Sequence, residues 1–152
     1  MSSIHIECLR TWLNSKRSFK ENMNVKTYCW KALDCELCKF KFPDIIRSKT
    51  GKTIKIMSFE KPELDYLILE SVTSQNLKIV HSIDMSYTDE IKVGRGHDCQ
   101  IRITDISVSR NHAYIKKSAA GEYIVEDNGS KFGTLALVRK PMILDKRNTN
   151  YI

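Results

Sequence analysis

Long apolar runs are missing from this 152-residue chain. The longest extend over a few residues, whereas a helix needs about 20 to cross a bilayer. No charged segment followed by an apolar one opens the chain, so a secretory signal is not expected. The phosphate-loop signature G-x-x-x-x-G-K-[ST] is also missing, because Gly51-Lys52 has no glycine five residues before Gly51. No regular stripe of Lys and Arg with interleaved aromatics appears, which sets nucleic acid aside as the expected partner. These absences leave a soluble intracellular protein, cytoplasmic or nuclear, with no membrane segment.

Hydrophobic residues make up 41% of the chain, enough for a packed core and too many for a disordered one. The net charge of +7 is uneven. Residues 1–65 hold 13 basic and 8 acidic side chains, and residues 66–152 hold 12 and 10. Four of the five cysteines, Cys8, Cys29, Cys35 and Cys38, lie in the first 38 residues, and Cys99 stands apart. In an intracellular chain such clustering points to metal more than to disulfides.

Ile6, Leu9, Trp12 and Leu13 recur at helical spacing, which predicts a short amphipathic helix ending near Ser15. The polar, basic stretch from Asn14 to Asn24 reads as a loop, and Val25–Trp30 as a strand. Cys35-Glu36-Leu37-Cys38 could bring two thiolates to one tetrahedral ion, and His5-x-x-Cys8 has a similar reach. Cys29 has no partner at ligand spacing and reads as a core thiol. Ile45-Ile46 and Ile54–Met57 flank a basic turn and predict a hairpin packing on the segment before it.

From residue 64 the texture changes. Short β-rich runs follow at 66–72, 77–83, 91–93, 100–103, 112–116, 122–125 and 134–138, with turn residues between. Pro141–Leu144 could be an eighth. Short strands at roughly 8–12-residue intervals indicate an all-β sandwich. Between these runs lie Gly94-Arg95, Ser109-Arg110-Asn111-His112-Ala113 and Gly129-Ser130-Lys131-Phe132-Gly133-Thr134. Two arginines, a lysine, a serine and loop N–H groups are the composition of an anion site, most simply one for phosphate.

Two resemblances follow from these motifs. His5-x-x-Cys8-Leu9-x-x-Trp12-Leu13 with Cys35-x-x-Cys38 and Pro43 resembles the second half of a RING-CH (RING-variant) zinc domain, the kind found in ubiquitin ligases. It implies zinc held by His5, Cys8, Cys35 and Cys38, and a ubiquitin-conjugating enzyme as partner. The first four ligands of that pattern have no counterpart in the four residues before His5. The readings left open are a fragment, four ligands gathered around one ion, and a metal-free remnant.

The Gly-Arg, Ser-Arg-x-His-Ala and Gly-Ser-x-x-Gly-Thr motifs resemble, in order and spacing, the signature of a forkhead-associated (FHA) domain over roughly residues 66–144. That resemblance implies an eleven-stranded sandwich whose end loops bind a phosphothreonine-containing protein without turning it over. Arg95 would offer a guanidinium fork to two phosphate oxygens and Ser109 a hydroxyl, with added charge from Arg110 and Lys131. His112 would tie the binding loops together, and Gly94, Gly129 and Gly133 would permit their conformations. Phe132 stands where the family commonly has an asparagine that grips the peptide main chain.

The sequence therefore predicts a mainly-β chain in three parts. They are a small α+β partial RING-CH zinc segment at 1–44, a linker at 45–63 and an FHA-like antiparallel β-sandwich, lacking its last strands, at 64–152. The expected function is phosphothreonine-peptide binding without catalysis. The alternative is an E3 ubiquitin ligase, or a fragment of one, directed to phosphorylated substrates.

Overall fold

The computed structural model describes residues 5–31, 34–43, 45–48, 50–72 and 77–137. The chain divides into two compact units, residues 1–88 and 89–152. Among the described residues no helix is long and apolar enough to cross a membrane.

The first unit opens with helix α1 (Ile6–Ser15), at the bounds its apolar spacing predicts. Strands β1 (Ser18–Asn22), β2 (Val25–Lys31), β5 (Tyr66–Glu70) and β6 (Leu77–Asp84) form an antiparallel sheet in the order β1-β2-β6-β5. Strands β3 (Ile45–Arg47) and β4 (Thr53–Lys55) make the expected hairpin around the basic turn. The sheet is held at its centre by β2 and β6, which bury paired residues on both faces. Tyr28 lies opposite Val80 and Val25 opposite Ile83, all four nearly inaccessible.

Leu9 and Leu13, one turn apart on α1, are buried against Ile56, with Trp12, Phe42, Ile46 and Met57 around them. Met57 also packs on the second cluster, Tyr28, Trp30 and Val80. The helix, the hairpin and the sheet are thus joined by apolar contacts.

This packing corrects the zinc expectation. Among the described residues, no group of three or more His, Cys, Asp or Glu side chains is placed to hold a metal ion. His5 precedes α1, and Cys8 lies exposed on the helix, off the Leu9–Leu13 face. Cys35 and Cys38 sit in a turn closed by backbone bonds, Cys35 N to Phe40 O (2.8 Å) and Lys39 N to Cys35 O (2.9 Å). The N–H groups of Cys38 and Leu37, with the Cys38 thiol, lower the Cys35 thiol below its usual range. The separate α+β zinc segment, its zinc cofactor and the ligase reading with its ubiquitin-conjugating partner are all set aside. Leu13→Ala should therefore cost roughly 2–5 kcal/mol as a buried cavity. Cys8→Ser should change stability by less than about 0.5 kcal/mol. Urea denaturation of the two variants tests this, and a Cys8 cost near that of Leu13 would restore a structural role for the thiol.

The second unit contains β7 (Glu90–Gly94), β8 (Ile101–Arg102), β9 (Ala113–Lys117) and β10 (Tyr123–Asp127), in the order β10-β9-β7-β8. Its neighbours are antiparallel except β7 and β8, which pair in parallel through Val93 with Ile101 and Gly94 with Arg102. Among the described residues, Ile91, Cys99, Ile101, Ala113 and Ile115 are its buried apolar side chains. Thr134–Leu137, expected as the start of a strand, is irregular, and Pro141–Leu144 lies outside the described residues.

Candidate functional site

Three loops meet at one end of the second unit's sheet, and backbone hydrogen bonds lock them together. Strand β7 runs into the Arg95 loop, where Arg95 N donates to Ser109 O and Gly96 N to Arg110 O, each at 2.9 Å. His112 N donates to Val93 O, and Asn128 N to His112 O, each at 2.9 Å. The loop after β7 therefore lies flat on the loop before β9, which in turn holds the loop after β10.

Gly94 is required by this closeness. A Cβ built there would fall well inside contact distance of Arg110 O, with Arg110 C at 2.9 Å and Ser109 O at 3.0 Å. Gly129 and Gly133 serve differently: their φ angles of +60° and +74° are in the left-handed region that side chains disfavour.

Side chains complete the lock. Ser109 N donates to His112 Nδ1 at 3.1 Å, so the neutral ring carries its proton on Nε2. Lys131 N donates to Ser109 Oγ at 3.1 Å. That bond uses a lone pair of Oγ and leaves the hydroxyl hydrogen available to an incoming acceptor. Arg95 Nε donates to Val108 O at 3.3 Å, and its terminal nitrogens have no partner among the described residues. Cys99, read as a buried thiol, is 1% exposed and donates to Arg110 O at 3.1 Å. Burial raises its pKa, so it stays a thiol and acts as a tether.

Asp127, at the end of β10, accepts from Ser130 N (2.9 Å), Ser130 Oγ (2.6 Å) and Thr134 Oγ1 (2.7 Å). The Ser130 and Thr134 hydroxyls are the main reasons that its pKa falls to about 2. A carboxyl whose folded pKa is depressed contributes stability above its unfolded pKa, near 3.8, and loses it as pH falls toward 2. An NMR titration of the Asp127 carboxyl should therefore find a midpoint near 2. A midpoint near 3.8 would mean that the Ser130 and Thr134 bonds do not hold the loop.

The electrostatics are local. Residues 89–137 carry seven cations (Lys92, Arg95, Arg102, Arg110, Lys116, Lys117, Lys131) and seven anions (Asp89, Glu90, Asp98, Asp105, Glu122, Glu126, Asp127), so their net charge is zero. Lys92 pairs with Asp98 at 2.8 Å, and Lys116 with Glu126 at 2.6 Å and Glu90 at 3.8 Å. Among the described residues, Arg95, Arg102, Arg110 and Lys131 have no carboxylate within ion-pair distance. Of these four, Arg95, Arg110 and Lys131 lie in the locked loops and Arg102 lies on β8.

Of the expected residues, Arg95, Ser109 and Lys131 are joined by these bonds. Arg110 follows Ser109 with an exposed side chain, and Gly94, His112, Gly129 and Gly133 shape the loops around them. Phe132 is 64% exposed, and the Lys131 ammonium lies over its ring, 5.2 Å from the centroid. Two residues were given no role by sequence. One is Asp127, which opens the third motif cluster; a carboxylate three residues before Ser130 was its available signal. The other is Arg102, on β8, whose Nε donates to Arg95 O at 3.3 Å.

Residues 91–146 match the family model described as FHA domain. No curated protein and no solved structure matches the chain. The FHA match begins at Ile91 and takes in every loop of the site.

Proposed function

We propose that the locked loops of residues 89–137 bind phosphothreonine in a partner protein and hold it without reaction. The observation that carries this is that cations with no carboxylate partner among the described residues lie beside the Ser109 hydroxyl, whose hydrogen is unused there. Arg95 offers a planar fork for two phosphate oxygens, Ser109 an O–H donor, and Arg110 and Lys131 point charges. A phosphothreonine is a dianion near neutral pH with three acceptor oxygens, so it satisfies these donors together. The match of residues 91–146 to the FHA domain model supports the same reading. The role is that of an adaptor, which recognises a modification made by another enzyme.

The experiment is an NMR titration of the full chain with a phosphothreonine peptide. Amide shifts should concentrate at residues 94–96, 109–112 and 129–133. Shifts centred elsewhere would refute the assignment.

A further inference from the structure

The first unit carries its excess charge in one place. Residues 1–88 hold 14 basic and 10 acidic side chains, a net +4. Residues 45–59 hold four of these cations, Arg47, Lys49, Lys52 and Lys55, and no acid. The rest of the unit is balanced, ten against ten. The β3–β4 hairpin is therefore the source of the unit's positive field.

Strand pairing puts this charge on one face. Ile46 lies opposite Ile54 and both are half-buried, with Ile46 packed on the Leu9, Leu13 and Ile56 cluster. The alternate positions are exposed, with Arg47 opposite Thr53 and Ile45 opposite Lys55. Lys52 is exposed in the turn, and Lys49 lies outside the described residues. Among the described residues, Arg47, Lys52 and Lys55 have no carboxylate within ion-pair distance. The backbone that carries them is fixed. Ser48 N donates to Lys52 O and Gly51 N to Ser48 O, each at 2.9 Å, and Lys52 N donates to Ser48 Oγ at 3.0 Å. Arg10 of α1 donates Nη2 to Lys55 O at 2.9 Å. A basic ribbon is thus held rigidly on an apolar base.

The chemistry of the ribbon selects its partner. Unpaired cations interleaved with Thr50 and Thr53 suit a surface of closely spaced phosphates. A single strand calls for aromatic platforms, and residues 45–58 contain no aromatic side chain. A lipid surface calls for large apolar side chains beside the cations, and residues 47–53 contain none. B-form DNA has a major groove about 12 Å wide, which admits a two-stranded ribbon, whereas that of an RNA duplex is deep and narrow. We infer that the β3–β4 hairpin binds the phosphate backbone of double-stranded DNA without reading its sequence. It is a second binding surface, independent of the phosphothreonine reading.

The test is fluorescence anisotropy of the full chain with a short labelled DNA duplex of arbitrary sequence. Four phosphate contacts give a slope of about −3.6 for log affinity against log salt, so affinity should fall roughly 150-fold between 50 and 200 mM salt. In the triple variant Arg47→Gln, Lys52→Gln, Lys55→Gln the slope should shrink to about −1, and affinity at 50 mM salt should drop more than about tenfold. That variant should keep the parent's urea midpoint, as exposed substitutions do. Lys52→Gln alone should reduce the slope by about 0.9. The control is Lys16→Gln, Lys26→Gln, Lys78→Gln, which loses the same charge from ammonium groups already paired with Glu36, Glu60 and Glu70. It should bind DNA as the parent does. Equal losses in the two triple variants would overturn the assignment to the hairpin. No binding at 50 mM salt, or binding that salt does not weaken, would overturn the inference. Binding to single-stranded DNA, to an RNA duplex or to phosphatidylserine vesicles as tight as to the DNA duplex would overturn the choice of partner.

Discussion

Arg95→Ala should weaken phosphothreonine-peptide binding by roughly 10- to 100-fold, the range for losing hydrogen bonds to a charged group. Among the described residues the side chain is anchored by Nε on Val108 O alone, so its terminal nitrogens are positioned without a partner there. Its backbone is held independently by Arg95 N on Ser109 O. Truncation at Cβ therefore removes the phosphate fork and leaves the loop lock in place. The variant should keep the urea midpoint of the parent within about 0.5 kcal/mol, as an exposed substitution does. Arg95→Lys should recover only part of the affinity, because an ammonium supplies charge without the planar two-point geometry. Calorimetric titration of both variants measures this. Full recovery by lysine would show that charge, not the fork, is what the phosphate reads.

The second large effect is at Gly94. An alanine methyl there would be driven into Arg110 O, against Arg110 C and Ser109 O at 2.9 and 3.0 Å. These are backbone atoms, so relief requires moving the loop that carries Ser109 and Arg110. A cost of roughly 1–3 kcal/mol in stability is expected from such overpacking. Binding should be lost even where the folded fraction is high, because the displaced loop carries the Ser109 hydroxyl. Gly121→Ala is the comparison. Gly121 has a φ of +81° with open space around it, in the turn between β9 and β10. It should show a strain cost of roughly 1–2 kcal/mol and unchanged peptide affinity. If Gly94→Ala bound the peptide normally, the close approach of the two loops would not be what sets the site.

The locked loops were legible in sequence because their residue types are dictated locally. Gly94 is imposed by a close backbone approach, and Gly129 and Gly133 by positive φ. His112 is imposed by the need for an acceptor at Ser109 N. What depends on long-range pairing was not legible. Strand β1 was read as a loop because Ser18–Asn22 is exposed throughout and shows no alternation; it exists because it pairs with β2. Arg102 carries no local mark, since its relation to the site is a bond to Arg95 O across the β7–β8 loop.

The zinc reading failed for an instructive reason. His-x-x-Cys and Cys-x-x-Cys spacings also arise wherever a helix start and a tight turn contain these residues. The intervening Leu9, Trp12 and Leu13 fit an apolar core as well as they fit a zinc domain. Burial of Leu9 and Leu13 on Ile56, with Cys8 exposed, separates the two accounts. Thr134–Leu137 misled in a similar way. Its alternation suggests a strand, yet Leu135 and Leu137 are 92% and 82% exposed and no strand forms there.

The most direct measurement is fluorescence anisotropy of the full chain with one peptide sequence in two forms, threonine and phosphothreonine. The phosphorylated form should bind and the unphosphorylated form should not, with the difference falling sharply in Arg95→Ala. Equal binding of the two forms would contradict the account.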